Sequence, residues 1–198
     1  MSGWHKKRRV MICYDTTADI YDRRYAEEQA AKVEAALKNV RIAKESAILD
    51  VGCGTGLLFE RVADEAGGIV GLDFSKKCLL QAKKRTCNRS LHDVQLIQAD
   101  ADNMPFRNKV FKTVFAMTIL QNTPSPAETL VEIKRVSRND ALFVVSGLKK
   151  IFSKEGFERL LRNSQLRNFT IDDEKLKCYV AVCNNPPIVG LSTNQKRI

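Results

Sequence analysis

The residues best placed to do chemistry stand in one short stretch, Leu49-Asp50-Val51-Gly52-Cys53-Gly54-Thr55-Gly56. Glycine tolerates positive φ and has no Cβ, so Gly-x-Gly-x-Gly between an apolar strand and a helix lets the backbone turn sharply and approach a ligand closely. Asp73 lies roughly 20 residues beyond Gly52, at the end of the next apolar run, where a carboxylate can accept hydrogen bonds from both ribose hydroxyls. Turn and acid together describe a site for a nucleoside-containing ligand. A nicotinamide site would share both features, but its Gly-x-Gly-x-x-Gly fingerprint needs glycine at position 57, where this chain has Leu57.

These residues need a sheet to hold them. From position 46, short apolar runs alternate with helical ones: strand 47–51, helix 57–66, strand 68–73, helix 75–86, strands 94–98 and 110–117, helix 126–136, strand 141–146. Parallel strands need crossovers, which are right-handed, so the units stack as a doubly wound α/β sheet with helices on both faces. One more helix runs to about Leu166, and the segments 167–171 and 177–183 form a C-terminal antiparallel hairpin, giving seven strands that are mostly parallel. Ahead of the sheet, Ala26, Ala30, Val33, Leu37 and Val40 recur at helical spacing and predict an amphipathic helix from about Ala18 to Asn39. Lys6, Lys7, Arg8 and Arg9 read as a mobile basic arm. The expected organisation is an arm over 1–13, one domain over 14–184 and a flexible tail over 185–198.

The glycine-rich segment resembles motif I of class I, Rossmann-like, S-adenosylmethionine-dependent methyltransferases, in which an acid stands two positions before Gly-x-Gly-x-Gly, here Asp50. Downstream, Gln98-Ala99-Asp100-Ala101-Asp102-Asn103-Met104-Pro105-Phe106 is similar to the family's "GDAxxLPF" segment. The resemblance covers roughly residues 14 to 147. It implies that Asp50 helps hold the donor's ammonium, that Gly52, Cys53, Gly54, Gly56 and Leu57 line its methionine and ribose, and that Asp73 grips the ribose. It further implies that Phe74 lies against the adenine, whose edge Asp100 and Ala101 recognise. The implied cofactor is S-adenosylmethionine, released as S-adenosylhomocysteine, with no metal. One departure is Lys112 in Phe111-Lys112-Thr113-Val114, where the family usually begins its fourth strand with an acid.

In open α/β sheets ligands bind beyond the carboxyl ends of the strands, so the acceptor is expected at Met117-Thr118-Ile119-Leu120-Gln121-Asn122-Thr123-Pro124. By resemblance, backbone near Met117 meets the methionine end of the donor. Gln121 or Asn122 could accept an N–H bond from an exocyclic amine and aim its lone pair; the alternative is that both amides cap the turn. Tyr14-Asp15 and Tyr21-Asp22 belong to a segment similar to the "YDxxAxxYD" lid of several such enzymes, with Tyr14 and Tyr21 on one helical face.

Lysine and arginine outnumber acids by 33 to 23, a formal charge of +10 that would draw the protein toward a polyanion. With Phe152 and Phe157 among Lys149, Lys150, Lys154, Arg159, Arg162 and Arg167, the acceptor is read as a base nitrogen of ribosomal or transfer RNA. A quinone-like small molecule is the alternative acceptor, and a donor-binding assembly subunit without catalysis is a third reading. Some translation-related relatives work with a small zinc-binding activator subunit, which makes such a partner conceivable here. The six cysteines include no Cys-x-x-Cys pair, and no run reaches the roughly 18 apolar residues that cross a bilayer. The expectation is a cytoplasmic protein without a membrane partner.

Overall fold

A computed structural model describes residues 3–42, 44, 46–172 and 175–184. The element order is α1 (Gly3–Leu37), β1 (Ala47–Val51), α2 (Phe59–Val62), β2 (Gly68–Asp73), α3 (Lys76–Asn88), β3 (Val94–Gln98), β4 (Phe111–Ala116), α4 (Pro126–Val136), β5 (Ser137–Leu148), α5 (Lys154–Asn163), β6 (Arg167–Asp172) and β7 (Cys178–Asn184). The described strands form one seven-stranded sheet in the order β3-β2-β1-β4-β5-β7-β6. From β1 the chain winds outward through β2 to β3, then returns to β4 on the other side of β1. This reversal opens a crevice at the carboxyl ends of β1 and β4, where such sheets bind ligands.

Alternation along each central strand sends neighbouring side chains to opposite faces. Leu49, Val51, Val114, Phe143 and Val145 face a core completed by Leu130 and Ile133 of α4 and Phe157 and Leu161 of α5. Ile48, Phe115 and Val144 face a second core with Val33 and Ala36 of α1, Phe59 of α2 and Leu79 and Ala82 of α3. Helices start where the sequence supplies caps. Ser75 accepts from the Cys78 N–H, and Ser153 accepts from the Gly156 N–H. At α4, Ser125 is the cap and Pro126 follows at the first helical positions.

Two expectations change and one gains detail. Residues 3–13, read as a basic arm separate from the domain, are the first turns of α1, which runs unbroken to Leu37. Their lysines find long-range partners, so charge repulsion along the run does not keep them from packing. The hairpin is present as expected, and β7 pairs antiparallel with both β5 and β6. Strand β6 therefore runs with the first five, and β7 alone is reversed. Finally, the helix expected over 57–66 shortens to α2, because turns occupy residues on both sides of it. The expected tail over 185–198 lies outside the described residues.

Candidate functional site

The glycine turn sits at the carboxyl end of β1, with Gly52 at φ 74°, Gly54 at φ 55° and Gly56 at φ 78°. A Cβ on Gly56 would lie 2.6 Å from the Phe59 ring, so this glycine serves packing, whereas a Cβ on Gly54 would meet nothing within 4 Å. The Gly54 backbone thus borders open space. Its N–H donates to Asp73 Oδ2 at 2.8 Å, and the Ser75 N–H donates to Asp73 Oδ1 at 2.7 Å. These bonds fix the carboxylate at the end of β2 and leave lone pairs over for a ligand. Burial raises the Asp73 carboxyl against the lowering effect of the Ser75, Gly54 and Phe74 backbone donors.

Asp50 is only 4% exposed, and no described residue donates a hydrogen bond to its side chain. Burial, with Asp73 adding repulsion, pushes it up to about 8. A buried carboxyl without a partner, on the wall of a cleft, is suited to a ligand that brings its own positive charge.

Beyond Asp73 the wall continues through Phe74, Ala99, Asp100 and Ala101. The Ala101 N–H has no protein acceptor among the described residues, which leaves it for a ligand. Asp100 Oδ1 accepts from the Asp102 N–H at 3.0 Å. Lys7 Nζ bridges Asp100 and Asp102, at 2.6 Å from each. The sequence expectation had not connected Lys7 to the site.

Helix α1 roofs the cleft, and its two Tyr-Asp pairs divide the work. Tyr14 and Tyr21 turn into the cleft with ring centroids 5.9 Å apart. Asp15 accepts from Ser75 Oγ at 2.6 Å and from the Lys77 N–H at 3.2 Å, at the start of α3. Asp22 binds Thr55 Oγ1 and Arg85. Two helical turns separate the pairs, so both aspartates reach α3 or its cap while both rings reach the ligand space. Toward the amino end, Lys6 donates to the Thr123 carbonyl and Trp4 meets Phe74 edge-on at 6.1 Å. The same cleft runs on from the glycine turn to Thr118 and Asn122 in the loop after β4.

Of the residues expected at the donor, Tyr21, Asp50, Gly52, Cys53, Gly54, Leu57, Asp73, Phe74, Asp100, Ala101 and Met117 all line this cleft; Gly56 lies behind it. The acceptor loop departs from expectation. Gln121 Nε2 and Asn122 Nδ2 both donate to the Thr118 carbonyl, at 2.7 and 2.9 Å, so both amides cap the turn. Gln121 does not line the cleft, and its Oε1 is buried without a partner. Asn122 does line it and also donates to Tyr14 Oη at 3.0 Å. Thr118, at φ 61°, is the residue that bends the chain out of β4, held by a 2.7 Å bond from its N–H to Ser146 Oγ. Sequence reasoning also missed Gln29 and the buried Lys32 behind Thr118, since a lysine among charged helix residues carries no sign of burial.

The two phenylalanines of the basic stretch expected to face RNA pack in or against the core. Phe157 is fully buried and stacks on Tyr179, and Phe152 packs against Phe157. Lys149 lies over the Tyr179 ring, and Arg162 over that of Phe169. A ring inside the core cannot stack on a base.

The sequence signature of the family described as "Methyltransferase domain" matches residues 42–180. A demethylmenaquinone methyltransferase of Staphylococcus saprophyticus is 29% identical over 146 residues, covering 70% of this chain and 62% of that protein. The match thus spans less than two thirds of that relative. Among solved structures, a methyltransferase from Haloferax volcanii in complex with the Trm112 activator superposes with TM-score 0.72 at 17% identity, covering 87% of this chain and 97% of that one. Magnesium protoporphyrin IX methyltransferase from Synechocystis, with bound SAM, superposes with TM-score 0.73 at 14% identity, covering 91% and 97%.

Proposed function

The chain belongs to the methyltransferase-domain family, and from that premise we propose that it transfers a methyl group from S-adenosylmethionine to a small, quinone-like acceptor. The observation that carries this reading is the roofed cleft. Val10 and Met11 of α1 and Met117 and Ile119 beyond β4 give it apolar walls, while polar groups gather at Asp50, Asp73 and Asp100. A small planar molecule fits a space covered by a helix; a base held within a folded RNA would first have to be unstacked and extruded.

When bound, the donor supplies a methyl group activated by sulfonium charge and departs as a neutral thioether. The chain's own residues position and shield. Asp73, set by two backbone donors, would hold the ribose hydroxyls, the Ala101 N–H and Asp100 would meet the base edge, and Asp50 would meet the ammonium. Helix α1 excludes water above them. Holding two reactants in line supplies much of the rate, so a strong base is not required of the site.

The similarity to a demethylmenaquinone methyltransferase supports the acceptor class. The RNA expectation keeps only the +10 charge behind it. A small activator partner of the kind present in the Haloferax complex is proposed on the same footing, and co-purification from the source cells tests it. The acceptor is tested by incubating the chain with methyl-labelled donor and, separately, a total lipid extract and total RNA. Label is expected in the lipid extract; label in RNA alone would reject the proposed acceptor.

A further inference from the structure

From a buried lysine to the wall of the cleft, four polar side chains form a line whose hydrogen bonds all run one way. Lys32 is 1% exposed, and its Nζ pairs with Glu28 Oε1 at 2.7 Å and reaches Thr118 Oγ1 at 3.5 Å. Thr118 Oγ1 donates to Gln29 Oε1 at 3.2 Å, and Gln29 Nε2 donates to Tyr21 Oη at 3.2 Å. Gln29, Thr118 and Tyr21 all line the cleft. An ammonium can only donate, so the order of donors is set from the buried end. Each group passes its own hydrogen forward, and the Tyr21 hydroxyl, having accepted from Gln29, has no protein acceptor among the described residues.

We propose that Lys32, acting through Thr118 and Gln29, polarises the Tyr21 hydroxyl as a hydrogen-bond donor to a negatively charged or carbonyl oxygen of the ligand in the cleft. Successive bonds in a poorly solvated line strengthen one another, and a cation at the far end fixes the direction of the whole line. Burial raises the Tyr21 phenol, with Tyr14 adding to the effect, so it stays protonated and acts as a donor. Glu28 also holds Lys177, at 3.0 Å, which connects the buried end to the surface. Lys32 touches no ligand-lining space and is therefore a positioning residue.

The inference rests on the donor reading above, and two oxygens fit it: the carboxylate of the donor's amino-acid end, or an oxygen of the acceptor. The test uses equilibrium binding by the full chain of S-adenosylhomocysteine, of 5′-methylthioadenosine, which lacks the amino-acid end, and of 1,4-dihydroxynaphthalene with S-adenosylhomocysteine saturating. The variants are Tyr21→Phe, Thr118→Val and Lys32→Met, with Thr118→Ser as the conservative control and thermal unfolding to establish that each is folded. A lost hydrogen bond to a charged group predicts affinity lower by roughly tenfold or more. If all three weaken S-adenosylhomocysteine and spare 5′-methylthioadenosine, the oxygen is the donor's carboxylate. If all three spare S-adenosylhomocysteine and weaken the naphthalenediol, it is the acceptor's. In both cases Thr118→Ser binds as wild type does. Weakening by Tyr21→Phe alone, or unchanged binding in every variant, overturns the proposal. Should Lys32→Met not fold, the contrast of Thr118→Val with Thr118→Ser decides the same question. Failure of the unaltered chain to bind S-adenosylhomocysteine would instead reject the donor reading itself.

Discussion

Single residues in the glycine turn do different jobs at nearly the same φ. Gly54→Ala places a methyl group in open space at the cost of a left-handed conformation, about 1–2 kcal/mol. The expected outcome is a folded protein whose affinity for S-adenosylhomocysteine drops by roughly tenfold, measured by titration calorimetry. Gly56→Ala drives its Cβ into the Phe59 ring and should instead lower the unfolding temperature. Asp50 gives a pH signature. Its carboxyl ionises near 3.8 in the unfolded chain and is pushed up to about 8 in the fold, so its contribution to stability is complete below the lower value and is lost as pH rises through the upper one. A bound cation favours the ionised form. At pH 7, donor binding should therefore release on the order of one proton, seen as a dependence of binding enthalpy on buffer ionisation, and Asp50→Asn should abolish that part. Gly52 and Asp73 could be brought to one cleft from sequence because backbone demands and ribose chemistry fix residue type at fixed spacing, and Asp50 because the family resemblance marks it. Lys32 and Thr118 could not, because their roles arise from contacts between α1 and the end of β4, far apart in the chain.

At the scale of elements, α1 is where reading and structure part. A run of lysines and arginines has no local partner, so sequence alone makes it an arm; Asp100, Asp102 and the Thr123 carbonyl, in the loops after β3 and β4, supply partners to Lys7 and Lys6. The Tyr-Asp repeat, by contrast, carried its own geometry, since a seven-position spacing keeps both rings on one face. If Lys7 pins the roof, Lys7→Gln should speed release of S-adenosylhomocysteine by about two- to fivefold, the range of a partly exposed ion pair. Stopped-flow dissociation at low and high salt checks this. The unaltered protein should lose its slower release as salt rises, and the variant should show little salt dependence.

The whole molecule was the most legible level. Apolar runs alternating with helical ones required a doubly wound sheet, and the switch between β1 and β4 places the site without further information. What stayed hidden was the direction of β6, because a hairpin fixes the pairing of its two strands but not which of them docks on β5. The reading of the acceptor class shifts for a related reason. Net charge is a property of the surface as a whole, and of the two rings among the basic residues Phe157 lies in the core while the partly buried Phe152 packs against it. The central claim, that the cleft beneath α1 is the methyl-donor site, is tested most directly by calorimetric titration of S-adenosylhomocysteine into the unaltered protein and into Asp73→Ala. Saturable one-to-one binding that Asp73→Ala weakens by at least roughly tenfold is the predicted result. No binding to the unaltered protein, or binding that Asp73→Ala leaves unchanged, would contradict it.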